Sequence, residues 1–214
     1  MVISDKDIRD LIRGLVIEAA QVDKLRVLDF DDTIAETSEQ VKLYTQGGRS
    51  FRMLSSDEFA VYKPQEGEYY DESSFYQFDD VDVDSAQPVK LVTSILRKFV
   101  NSEGSRRVLI LTARNQAAET GIRNFLKSIG IDDAAVDVVG VGDKDPAAKV
   151  KVIHYYLTKV LSGVRFVSFF DDSGPNVNAV KKYLTRMGIR HDVARVVDDE
   201  EGFKRLVRVM TKRQ

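Results

Sequence analysis

The chain has 214 residues, enough for one sizeable core with a small appended module. A formal net charge of −2 gives no overall pull towards nucleic acid, and the absence of cysteine excludes disulfides, thiolate metal sites and a cysteine nucleophile. His154 and His191 are the only histidines, so any bound metal must be held by oxygen atoms, which points to a hard cation.

From the N-terminus, Ser4 can cap a helix whose apolar positions Ile8, Leu11, Ile12, Leu15, Val16 and Ala19 follow helical spacing. No uninterrupted apolar stretch here or later is long enough for a signal peptide or a membrane span, so we expect a cytoplasmic protein with no membrane partner. Leu25-Arg-Val-Leu-Asp-Phe30 predicts a short buried strand. Its rhythm breaks at about Thr37. Val41–Tyr44 and Ser50–Leu54 flank Gln46-Gly-Gly-Arg49, a hairpin signal, and a short helix capped by Ser55 or Ser56 is expected to follow. Between Pro64 and Pro88 there is no lysine or arginine but there are eight acids among several aromatic residues. This stretch reads as a solvated, partly irregular loop, with an acidic lid that repels polyanions as the alternative.

From Val89 the alternation resumes: a helix to Val100, a strand at Val108–Leu111, a helix from about Gln116 to Ser128 and a strand at Val136–Val141. Asp145-Pro146 then opens a helix, a cap residue followed by proline at the first helical position. A strand at Phe166–Phe170, a helix from Asn176 to Met187, a strand at Val193–Val197 and a closing helix over 200–211 complete the pattern. Strands alternating with helices predict an α/β fold: a Rossmann-like, mainly parallel five-stranded sheet with helices on both faces, plus a small hairpin and loop insert. The core is expected at 1–36 and 89–214, with the insert at 37–88.

In such folds ligands bind beyond the carboxyl ends of the strands. The first strand runs into Asp29-Phe-Asp31-Asp32-Thr33, the second into Thr112-Ala-Arg114 and the fourth into Asp171-Asp172-Ser173. Carboxylates placed directly after apolar strands carry a large desolvation cost and repel one another unless a cation sits between them. A divalent ion with oxygen ligands is the economical answer.

Asp29-x-Asp31-x-Thr33 after Val27-Leu28, Thr112 after its apolar strand, a lysine near the start of the helix before the fourth strand, and Asp171-Asp172 after Phe166–Phe170 resemble, in order, the four motifs of the haloacid-dehalogenase (HAD) superfamily. Lys149 fits the lysine motif best, with Lys144 and Lys151 close enough to compete. The resemblance covers about 25–200 apart from the insert, and it implies a magnesium-dependent phosphohydrolase. Asp29 would be the nucleophile, forming an aspartyl-phosphate, and Asp31 the acid and base for leaving group and water. Thr112 and Lys149 would bind and neutralise the phosphoryl group, with Arg114 as a further substrate contact or, equally, a structural ion pair. Mg2+ would be held by Asp29, the Asp31 carbonyl, Asp171 and Asp172.

The acid two residues after the nucleophile favours a phosphomonoesterase over a dehalogenase, because a leaving alkoxide must be protonated. A small insert and the short span between Thr112 and Lys149 resemble the cap-reduced members that act on nucleic acid ends or proteins, including polynucleotide 3′-phosphatase domains with their Thr-Ala-Arg-like second motif. The expected partner is therefore a phosphorylated small molecule, nucleotide or nucleic acid end, with no obligate protein partner. A catalytically weak binding or scaffold module is the alternative. The basic tail, with ten Lys or Arg against five acids over 180–214, reads as a solvated helical surface, with a basic face for a nucleic acid end as the alternative. Asn176 reads as a cap or an orienter of Asp172, Thr33 as a local loop tie, and His154 as a packing residue.

Overall fold

A computed structural model of the protein describes residues 22–45, 48, 50–55, 58–59, 62–101 and 106–196. The helices expected at 4–19 and 200–211 lie outside them, as do parts of the hairpin loop and of the segment after Ser55. In chain order the elements are β1 (Lys24–Leu28), β2 (Ala35–Glu36), β3 (Val41–Tyr44), β4 (Phe51–Leu54), β5 (Tyr69–Tyr70), β6 (Gln87–Pro88), α1 (Lys90–Asn101), β7 (Arg106–Thr112), α2 (Glu119–Ser128), β8 (Val136–Gly140), α3 (Pro146–Tyr155), β9 (Phe166–Asp171), α4 (Gly174–Arg186) and β10 (Arg190–Arg195).

The central sheet is parallel throughout, in the order β10-β9-β1-β7-β8. Its inner strands are mostly apolar on both faces because both are covered. Val27, Leu109, Leu111, Val167 and Phe169 point to one side, against Ile153 of α3 and Val180 and Leu184 of α4. Leu28, Val108, Ile110 and Phe170 point to the other, against Val92 and Leu96 of α1 and Ile122 and Phe125 of α2. The chain runs from β1 outward through β7 to β8, then returns to the other flank of β1 with β9. The sheet therefore reverses its winding between β1 and β9, and a crevice opens at the carboxyl ends of two such strands.

The last strand runs over Arg190–Arg195 rather than Val193–Val197. Among the described residues it pairs only with β9, so as an edge strand it is not obliged to be apolar. Between β1 and α1, β3 and β4 form the expected antiparallel hairpin, and β5 adds a third strand beside β3. The acidic stretch, expected to be partly irregular, is ordered in two places: Tyr69–Tyr70 pairs with the hairpin, and Glu72–Asp79 winds into a 3₁₀ helix whose first turn is capped by the Asp71 carboxylate on the Ser73 amide. Val41, Leu43 and Leu54 make a small second core there, with Phe59, Tyr62, Tyr70 and Phe78 packed on it. β2 pairs with β6, joining the two ends of this segment. The segment also rests on α2 at Gly121, where a Cβ would meet the Val81 backbone nitrogen at 2.5 Å. Among the described residues no helix is long and apolar enough to cross a membrane.

Candidate active site at the sheet switch point

β1 and β9 lie side by side in register up to Leu28 and Phe170, so the next residue of each strand is delivered to one edge of the sheet. Asp29 keeps the sheet bond, its amide donating to the Phe170 carbonyl at 2.8 Å, and the chain then turns away. The turn passes through Asp32 at φ +53°, a left-handed conformation that aspartate adopts more readily than most residues. Asp32 N and Ile34 N close it on Ala35 O and Phe30 O. Thr33 ties this turn to the neighbouring loop rather than locally, its Oγ1 accepting from the Asp172 amide at 3.0 Å.

Asp29, Asp171 and Asp172 each place a carboxylate oxygen within 4.8 Å of the others. Lys149, on the first turns of α3, reaches between two of them: its Nζ donates to Asp29 Oδ1 at 2.6 Å and to Asp171 Oδ2 at 2.8 Å. The groups are deeply buried, with 5% of Asp29, 2% of Lys149 and none of Asp171 exposed. Asp171 is further fixed by the Ser173 amide and by Asn176 Nδ2, which donates to both its oxygens. Of the three lysines at the start of the helix, Lys149 alone meets the carboxylates. Lys144 turns to the hairpin segment, donating to the Phe59 and Tyr62 carbonyls, and Lys151 is exposed on α3.

Asp31 takes a different set of partners. Arg114 forks onto it, with Nε donating at 3.0 and 3.1 Å and Nη2 at 2.8 Å, and Thr37 Oγ1 and Thr112 Oγ1 donate at 2.9 and 3.4 Å. Thr112 is fully buried and its Oγ1 also accepts the Arg114 amide, so it stands behind Asp31 and Arg114. Arg114 in turn ion-pairs with buried Glu39 at 3.2 Å and donates to the Asp80 carbonyl. Sequence reasoning missed Glu39 and Asp80 as partners of the site, and no local spacing announces them. His154 bonds Tyr183 Oη between α3 and α4 and does not border the site.

The electrostatics show an incomplete balance. Burial pushes the Asp29 pKa well above its ordinary 3.8, Lys149 pulls it down, and the charges of Asp171, Asp172 and Asp31 push it up again. Burial also works against the Lys149 charge, but Asp29 and Asp171 outweigh it and hold the ammonium. Three carboxylates against one ammonium leave two negative charges when all are ionised. The donor atoms are all oxygens, so a hard divalent cation fits both the charge and the chemistry.

A consequence follows for pH. A carboxyl whose folded pKa is raised favours the folded state most fully below its unfolded value, and that contribution is lost as pH rises through the folded value. Asp29 should therefore contribute progressively less to the stability of the metal-free protein as pH climbs above about 3.8. Added Mg2+ should raise Tm more at about pH 8 than at about pH 5, because it binds the ionised cluster. Thermal unfolding with and without the ion at the two pH values measures this, and an equal or smaller gain at the higher pH would contradict it.

A cavity of about 470 Å³ opens over the carboxylates, bordered by Asp29, Asp31, Lys149, Asp172 and Asn176 on the sheet side and by Phe59, Tyr70 and Phe78 opposite.

No protein-family model matches the sequence, and no curated protein matches it either. Among solved structures, the HAD domain of effector protein Lem4 from Legionella pneumophila is similar over 90% of this chain and 96% of that one, with a TM-score of 0.52 and 14% sequence identity. An inactive mutant of that domain gives 0.49 at 13% identity, over 89% of this chain and 96% of that one. A structure of the Pnkp1/Rnl/Hen1 RNA repair complex gives 0.43 at 15% identity, over 83% of this chain and 44% of that one. The first likeness shows the architecture: the chain has a HAD-like fold.

Proposed function

We propose that the protein is a magnesium-dependent phosphomonoesterase that works through an aspartyl-phosphate on Asp29, with a nucleotide or a nucleic acid terminal phosphate among its candidate substrates. One observation carries the reading: Asp29, Asp171 and Asp172 from two neighbouring strand ends lie within 4.8 Å of one another, with Lys149 bridging Asp29 and Asp171.

Asp29, the Asp31 carbonyl, Asp171 and Asp172 would hold the ion. Magnesium, when bound, polarises phosphoryl oxygens and offsets their charge. The remaining chemistry belongs to side chains. Asp29 attacks phosphorus with a carboxylate oxygen and displaces the alkoxide, and water then cleaves the acyl-phosphate. Lys149 neutralises charge between Asp29 and the phosphoryl group. Asp31 takes up a proton before attack, gives it to the leaving oxygen and regains one from the water that cleaves the acyl-phosphate. Its carboxyl is held by the Arg114 fork and by Thr37 and Thr112, so its orientation is set before substrate arrives. Thr112, buried behind Asp31, supports the phosphate pocket through that carboxyl in the resting arrangement.

Hydrolysis of p-nitrophenyl phosphate should depend on Mg2+ and stop on chelation. Turnover that persists in EDTA would reject the assignment. Lys149→Met should lower kcat by about 10²–10³-fold, the usual loss when one charge-stabilising group is removed. A kcat within about threefold of the unaltered protein would remove Lys149 from the mechanism.

A further inference from the structure

The cavity over the carboxylates has a second wall that phosphoryl transfer does not use. Phe59, Tyr70 and Phe78, all from the segment between β1 and α1, border it. Each ring is only partly buried. The rings pack on Val41, Leu43 and Leu54, and all three also border the cavity. Phe59 and Tyr70 meet edge to face, with centroids 5.1 Å apart and an interplanar angle of 77°, so together they form a corner.

This wall is fastened by three side chains to the two loops that follow β7 and β8. Lys144 Nζ donates to the Phe59 carbonyl, the Tyr62 carbonyl and Tyr70 Oη at 3.3–3.4 Å, and it lies 4.4 Å from the Phe59 ring centroid. Asn115 Nδ2 donates to Asp79 at 2.6 Å. Arg114 donates to the Asp80 carbonyl and stands 5.1 Å from the Phe78 ring, while its other arms hold Asp31. The aromatic wall is therefore held at a set position relative to the proposed acid, as a specificity wall must be.

We propose that the cavity takes a phosphomonoester whose organic part carries a planar aromatic ring, seated against Phe59, Tyr70 and Phe78; this rests on the phosphomonoesterase reading above. Rings stack on rings and, Tyr70 Oη apart, offer no hydrogen bonds to hydroxyl groups, so the wall suits a nucleobase or an aryl group better than a polyol. Against the three rings a sugar phosphate would leave hydroxyls facing mostly apolar surface, where each unpaired group is costly, and only the polar residues beside the rings, Asn115, Asp143 and Lys144, could pair them. A nucleobase and an aryl group share this chemistry and differ in how far the ring lies from phosphorus.

The test compares Phe59→Leu and Phe78→Leu with the unaltered protein on phenyl phosphate, adenosine and uridine monophosphates, and glycerol phosphate, all with Mg2+. A phenolate leaves more readily than an alkoxide on any enzyme, so each variant is compared with the parent on the same substrate. We expect the ratio of KM for an aromatic substrate to KM for glycerol phosphate to rise about tenfold with little change in kcat, the loss of one stacking partner. A rise confined to phenyl phosphate assigns the wall to an aryl group, and one confined to the nucleotides assigns it to a base. An unchanged ratio for every aromatic substrate overturns the proposal. A second measurement avoids substitutions: adenosine or phenol should compete with glycerol phosphate in the unaltered protein where ribose does not, and equal inhibition by all three also overturns it. If no phosphomonoester is turned over at all, the phosphomonoesterase reading itself has failed, which these ratios distinguish from failure of the aromatic wall.

Discussion

Asp29→Asn should lower phosphomonoester turnover by at least about 10⁴-fold, because losing a nucleophile removes a whole step and not merely some stabilisation. The amide keeps the shape of the side chain, and Lys149 keeps Asp171 as a partner at 2.8 Å, so the fold has no reason to open. The expected stability change runs the other way. Burial raises the pKa of Asp29, which means that its charge opposes folding at neutral pH when no cation is present. The metal-free variant should therefore unfold at a temperature equal to or above that of the metal-free parent, and the parent should gain more from Mg2+. Activity lost together with a fall in metal-free Tm would assign the loss to misfolding. Activity retained at more than a few per cent would remove Asp29 from the nucleophile's role.

How much of this could be seen in the residues alone depends on the range of the interactions. Asp29, Thr112 and Asp171 stand where an apolar run of a few residues breaks into polar ones, and a covered parallel sheet makes that break visible without coordinates. Lys149 could be narrowed to one of three lysines but not fixed, because only the pitch of α3 decides which side chain turns to the sheet edge. The last strand is read a few residues late since valines at 193, 196 and 197 outweigh Arg190-His191-Asp192, yet an edge strand needs a neighbour rather than an apolar run. The surroundings of Arg114 were not legible at all. Its partners Glu39 and Asp80 are 75 and 34 residues away, Glu39 just before the hairpin and Asp80 in the stretch whose acids resemble an ordinary solvated loop. The three aromatic residues on the cavity wall are hidden for the same reason: Tyr69–Tyr70 forms a strand of two residues, too short to show alternation.

Arg114→Ala should be the most destabilising single substitution at the site. The side chain is 1% exposed and carries one charge between two carboxylates, those of Asp31 and Glu39, which are themselves 16% and 8% exposed. Burial works against the Arg114 charge, but the two acids outweigh it and raise its pKa, so the arginine stays ionised and the cluster is held by opposite charges. Truncation leaves both carboxylates and the Asp80 carbonyl without the guanidinium, a change of the kind that costs about 3–5 kcal/mol. For a chain of this size that lowers Tm by roughly 6–20 °C. Arg114→Lys should lose less stability, keeping the charge while giving up the two-pronged fork onto Asp31. If the cost comes from uncompensated charge, Glu39→Gln should be less harmful, or even stabilising, beside Arg114→Ala, whereas alone it should be destabilising. Chemical denaturation of the four proteins in that cycle measures the coupling, and additive effects would show that Arg114 packs the segment between β1 and α1 without holding its charges. The same substitution frees Asp31 from its fork, so kcat should fall even at temperatures where the variant remains folded, and a folded variant with unchanged kcat would separate Arg114 from the chemistry.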